Sequence, residues 1–149
     1  MKKLIGILSI ILAAGISQVY ANNTKDGGGT LSATFRKDFV NAKNVSWQEE
    51  KNYSKATFNI NDQILFAYYS NETGELVAVV RNILSDQLPI NLMTKLKSDY
   101  GAFWISNLFE MDADGQTTYY ATLENPSEIL ILRSTGFSDW HIYIKEKKQ

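Results

Sequence analysis

The chain has 149 residues, with no cysteine, a single histidine, and 15 basic against 16 acidic residues. The missing cysteine excludes disulfides, thiol nucleophiles and Cys-zinc centres. The near-neutral balance excludes a nucleic-acid surface, which needs concentrated positive charge.

Lys2 and Lys3 lead into an apolar stretch, Leu4 to Ile16, and Val19-Tyr20-Ala21 supplies the pattern that signal peptidase reads. The stretch is shorter than the roughly 20 residues of a bilayer-spanning helix, and no cysteine follows it for lipidation. Residues 1–21 are therefore expected to be a cleavable signal peptide, and the chain periplasmic or secreted, with no membrane span left. Removing 21 of 149 residues leaves 128, the size of one domain. Lys2 and Lys3 leave with the signal, so 13 basic residues face 16 acidic ones, a net charge of about −3.

Asn22 to Thr30, with Gly27-Gly28-Gly29, reads as a flexible lead-in. Ser32 or Thr34 then caps a helix whose Phe35 and Phe39, four apart, share one face, with Ala42 near the same stripe. Strands follow at Val45 to Trp47, Ala56 to Ile60, Ile64 to Tyr69 and Glu75 to Ile83. Asn61-Asp62 and Asn71 to Gly74 mark the turns. Leu88-Pro89 opens a second helix with a Leu92/Leu96 stripe and Gly101 at its C-terminal end. Further strands are expected at Phe103 to Met111, Thr117 to Glu124, Ile129 to Arg133 and Asp139 to Ile144, with Asp112 to Gly115 as a turn.

The two stretches, about 31–84 and 85–149, read as copies of one unit. A shift of 57 sets Phe35 on Leu92, Phe39 on Leu96 and Trp47 on Trp104. A shift of 65 sets Ala56-Thr57-Phe58 on Ala121-Thr122-Leu123, Ile64-Leu65-Phe66 on Ile129-Leu130-Ile131, and Val77 and Val79 on Ile142 and Ile144; the change in shift implies a longer first hairpin in the second copy. The expected fold is α+β: two α-β-β-β(-β) units forming one antiparallel sheet, with two helices packed on one face.

The residues offer little for catalysis. His141 would have to serve any serine triad, and no G-x-S-x-G turn accompanies it. One histidine without cysteine does not build a zinc site. Asp112-Ala113-Asp114-Gly115 resembles the start of a calcium loop, but its glycine comes too early and Leu123 stands where the closing glutamate belongs. A hairpin turn is the plainer reading there, with weak calcium binding by Asp112 and Asp114 left open. The chain is expected to be neither an enzyme nor a cofactor protein.

The strand faces say more. Ile64 to Tyr69, Leu76 to Val80 and Ile129 to Leu132 are apolar on both sides, which implies cover on both sides of the sheet. Two short helices cover one side, so apolar surface is left over. With Ala56, Phe58, Ala121 and Leu123 facing the helices, strand alternation and the repeat give the other side Thr57, Thr122, Tyr69, Leu76, Tyr120, His141 and Tyr143. Tyrosines among threonines suit recognition of a protein or peptide. The expected partner-binding residues are Tyr69, Leu76, Tyr120, His141 and Tyr143, with an envelope protein, a peptide or a second copy as partner. Packing against the lead-in or a loop is the competing use of that face.

These residues also resemble a known family. A signal peptide precedes a helix with two Phe four apart, then Asn41-Ala42-Lys43-Asn44-Val45-Ser46-Trp47, Ala56-Thr57-Phe58, a Tyr68-Tyr69 strand end, Gly74-Glu75-Leu76, and a Leu88-Pro89 helix ending near Tyr100. The pattern is similar to that of the PepSY-like, β-lactamase-inhibitor-like family of periplasmic proteins, over nearly the whole exported chain. Asp112 to Gly115 enlarges a hairpin relative to that pattern, and Phe137-Ser138-Asp139-Trp140 replaces an expected turn. The resemblance implies helices on one face of an antiparallel sheet, the other face open, export and no catalytic centre. It supplies neither a partner nor inhibitory residues.

Overall fold

A computed structural model describes residues 23–24 and 28–149. The expected signal peptide, its cleavage point and residues 22 and 25–27 of the glycine-rich lead-in lie outside the described residues; the rest of the lead-in is more regular than expected, with Asn23 and Thr24 paired in a strand and Gly29 and Thr30 already helical. The elements in order are β1 (Asn23–Thr24), α1 (Gly29–Asp38), β2 (Lys43–Glu49), β3 (Tyr53–Ile60), β4 (Gln63–Ser70) and β5 (Leu76–Asn82). A 3₁₀ turn (Ser85–Gln87) then leads to α2 (Ile90–Asp99), β6 (Trp104–Ala113), β7 (Gln116–Glu124), β8 (Glu128–Thr135) and β9 (His141–Lys147). The strands form one sheet in the order β1 to β9, and every adjacent pair is antiparallel. The fold is thus α+β, as expected: a helix followed by four strands, twice, in one antiparallel meander.

Two hairpins close with the same local chemistry. Asn61 and Asp62 (φ 50° and 62°) join Ile60 to Gln63, and Asp114 and Gly115 (φ 54° and 71°) join Ala113 to Gln116. Two successive left-handed residues give a turn whose twist matches that of the strands, and Asn, Asp and Gly tolerate that backbone best. The turn expected over Asp112 to Gly115 is shorter than foreseen, because Asp112 and Ala113 are still paired in β6, opposite Thr117 and Gln116.

The helices lie side by side on one face. Beneath α1, Phe35 packs with Trp47, Ala56, Phe58, Ala67 and Tyr69. Beneath α2, Leu92 and Leu96 meet Leu108, Ala121, Leu123, Leu130 and Leu132. Ala56, Ala67 and Ala121 are fully buried, and their small side chains let the helices approach the sheet. Pro89 stands immediately before α2, where its missing N–H deprives the helix of nothing. The Trp140 indole N–H donates to the Leu92 carbonyl at 2.9 Å, so the segment before β9 fastens α2 from outside.

A candidate recognition face

Strand pairing decides which face each side chain occupies, because residues directly opposite each other share a face. Ala56 pairs with Ala67 and Phe58 with Leu65, so β4 turns its odd-numbered residues toward the helices. Tyr69 belongs to that set. It is fully buried beneath α1, and its hydroxyl donates to the Asp38 carboxylate at 3.3 Å. Tyr69 is therefore a helix-side core residue, which corrects its expected place on the open face. Leu76 pairs with Tyr69 across an irregularity that leaves Val77 unpaired, so it too belongs to the helix side, 37% exposed.

The opposite face gathers a second core. Tyr53, Tyr68, Ala78, Val80, Phe109, Met111, Ala113 and Tyr120 are buried together, with Phe66 and Ile131 against them. All of these come from strands β3 to β8, and none from a helix. Phe109 and Tyr120 stack with centroids 4.9 Å apart, Tyr53 and Tyr68 lie 5.7 Å apart, and Tyr143 sets its edge to Tyr120 at 6.3 Å. Of the five expected residues, the structure brings together Tyr120, Tyr143 and His141, the last standing exposed opposite Arg133.

Two cationic side chains of this face, Lys55 on β3 and Arg133 on β8, lie against its aromatic residues. Lys55 holds its ammonium 5.8 Å from the Phe66 ring, and desolvation lowers its pKa despite the nearby Glu50 carboxylate. Arg133 lies opposite Tyr120 in the β7–β8 ladder. Burial pushes the Tyr120 phenol up to about 12; Arg133 opposes the shift and Tyr143 adds to it. The Tyr120 hydroxyl and Arg133 Nε are buried without a hydrogen-bond partner; Ser134 Oγ, on the helix side, is the other such atom among the described residues. A buried donor left unsatisfied costs about 1–3 kcal/mol.

Sequence reading missed Tyr53, Lys55, Tyr68, Phe109 and Arg133. The signal for the first two was present, since Tyr53 and Lys55 alternate with the helix-facing Ala56 and Phe58 along one strand. Arg133, flanked by buried Leu132 and Ser134, offered no sign of its role before the pairing was known.

Between the helices, Gln63, Leu65, Val79, Arg81, Glu110 and Asp112 line a shallow depression of about 240 Å³. Arg81 is ion-paired with Glu110 and donates to Gln63 at 2.8 Å, so its charge is already satisfied. Among the described residues, no three histidine or acidic side chains gather as a metal site. Asp112 instead sits within β6, where it accepts a long bond (3.4 Å) from the Thr117 hydroxyl.

No protein-family model and no curated protein matches the chain. Several solved structures do. A DUF2874 family protein from Bacteroides uniformis aligns with a TM-score of 0.70 at 14% identity, over 82% of this chain and 90% of that one. A BLIP-like protein from Bacteroides fragilis aligns with a TM-score of 0.69 at 12% identity, over 83% and 88%. A candidate periplasmic protein from Bacteroides eggerthii gives 0.69 at 13% identity, over 82% and 89%. Identities this low speak for the fold alone, and on that footing the chain shares the two-helix, antiparallel-sheet fold of the DUF2874 and BLIP-like proteins.

Proposed function

We propose that this chain is an exported, non-enzymatic binding module that recognises a protein or peptide with the helix-free face of its sheet. One observation carries the reading: a second aromatic core, built only from strands, lies on the face that the helices leave alone. The buried tyrosines make that face rigid, and Tyr143 (36% exposed) at its margin offers the apolar contact and polar tip that suit recognition. The signal-peptide pattern supports export, and the likeness to a BLIP-like fold and a candidate periplasmic protein agrees with it. The same reading takes the PepSY-like resemblance as kinship and the two helix-plus-four-strand halves as copies of one ancestral unit.

A second reading has its own support. Ile64 (55% exposed) and Tyr143 (36% exposed) put apolar surface at the margins of this face, which also suits a second copy of the chain. Sedimentation of the purified protein at micromolar concentration, alongside its Ile64→Ser/Tyr143→Ser variant, separates the two. A monomer that captures one defined envelope protein, and loses it in the folded variant, supports recognition. A dimer that the variant dissolves assigns the face to self-association, and a monomer whose captured partners are indifferent to the variant sinks both.

A further inference from the structure

Two buried donors point to the chemistry of the partner. Tyr120 is 1% exposed with its hydroxyl unpartnered, and directly across the ladder Arg133 buries an Nε–H that is equally unpartnered. Arg81, Lys95, Lys145 and Lys148 each hold a carboxylate, whereas Arg133 takes part in no ion pair among the described residues. His141 lies opposite Arg133 on the edge strand, and Tyr143 of the same strand sets its ring edge to Tyr120. A guanidinium beside a phenol, both lacking acceptors, is a donor set waiting for an anion.

Resting on the recognition face argued above, we propose that Tyr120 and Arg133 form a carboxylate-binding subsite, and that the partner is an acidic peptide segment. Both donors are covered in this structure, so the half-exposed Tyr143 ring swings aside as the segment seats one Asp or Glu side chain on them. A neighbouring aromatic residue of the segment lies against the Tyr143 ring. A carboxylate accepts both bonds with short, charge-assisted geometry. The charge count favours a monoanion: one arginine and one neutral phenol balance a single negative charge.

The test uses two probes, acetyl-Gly-Phe-Asp-Phe-Gly-amide and its Asn counterpart, titrated into the ¹⁵N-labelled protein. The readouts are the Arg133 Nε–H resonance and the amides of β7 to β9. The expected result is a saturable shift of the Arg133 signal, with the Asp peptide bound about tenfold tighter than the Asn peptide, the ratio typical of a charged hydrogen bond. Tyr120→Phe, which keeps the ring and its stacking, and Arg133→Gln should each cut that preference to about twofold or less. Equal binding of both peptides, with the β7 to β9 amides still shifting, overturns the subsite and leaves the recognition face standing. No shift on this face with either peptide also overturns the subsite, and the broader reading then rests on its sedimentation and capture test alone. An Asp preference that survives both substitutions places the carboxylate elsewhere and overturns the assignment.

Discussion

The two halves of the molecule share an architecture and fill it differently. Under α1 the filling is aromatic: Phe35 and Phe39 lie 5.2 Å apart, and Phe58 meets them at 4.9 and 4.6 Å. Under α2 it is aliphatic, a leucine layer closed by the Trp140 indole. The anchors differ too. The first helix is tied near its C-terminus by the Tyr69 hydroxyl on Asp38, the second by the Trp140 N–H on Leu92 and the Lys95–Asp139 pair at 2.6 Å. The tryptophans that match in sequence part company: Trp47 is buried against Phe35, while Trp104 is half-exposed with the Lys148 ammonium 5.0 Å from its ring. One backbone plan therefore accepts two different packings, as cores do when the apolar pattern is kept.

Substitutions in matching positions test that comparison. Phe58→Ala and Leu123→Ala, both at buried sites, should cost about 4 and about 3 kcal/mol respectively, read by urea denaturation; equal and small losses would mean that neither layer is tightly packed. Trp47→Ala should cost about 4 kcal/mol and Trp104→Ala less than about 1 kcal/mol, and a reversal would upset the burial assignment. Trp140→Phe removes one buried hydrogen bond while the Leu92 carbonyl keeps its bond within the helix, an expected loss of about 1 kcal/mol; Tyr69→Phe should lose a similar amount.

Tyr120→Phe is the smallest and the most diagnostic change. It deletes a hydroxyl with no partner, so stability at neutral pH should stay level or rise slightly. Alkaline titration sharpens the point. The Tyr53 and Tyr120 phenols are pushed up to about 12 by burial, above an unfolded value near 10. Their stabilising effect is complete below about pH 10 and is lost as pH rises through about 12, because the unfolded chain releases the protons first. Tyr120→Phe should flatten that decline, measured as melting temperature against pH.

Much of the scaffold was legible in local sequence. The Phe35/Phe39 and Leu92/Leu96 spacings marked the helices, and Asn61-Asp62 and Gly115 marked turns that only left-handed backbone makes. Face assignment within β3 and β7 was also legible, since alternation needs no partner. It failed at Tyr69, whose side depends on register across the Ile60–Gln63 turn, and at Leu76, where an irregularity resets the alternation. The last strand shows the same limit: Ile142 pairs with Leu132 as Val79 pairs with Ala67, so pairing matches Ile142 to Val79 and not to Val77. Alternation carries no record of a bulge. The Tyr120–Arg133 pair was out of reach for the related reason that long-range pairing brings it together.

The meander itself has a kinetic consequence. Each strand bonds the next strand in the chain, and the two extended excursions between partners, from β1 to β2 and from β5 to β6, are each spanned by a helix that forms locally. Low sequence separation between partners speeds folding, because little loop entropy is lost before contacts reward it. A chain of this topology that emerges N-terminus first can complete each hairpin from residues already delivered, with the aromatic half assembled before the leucine half arrives.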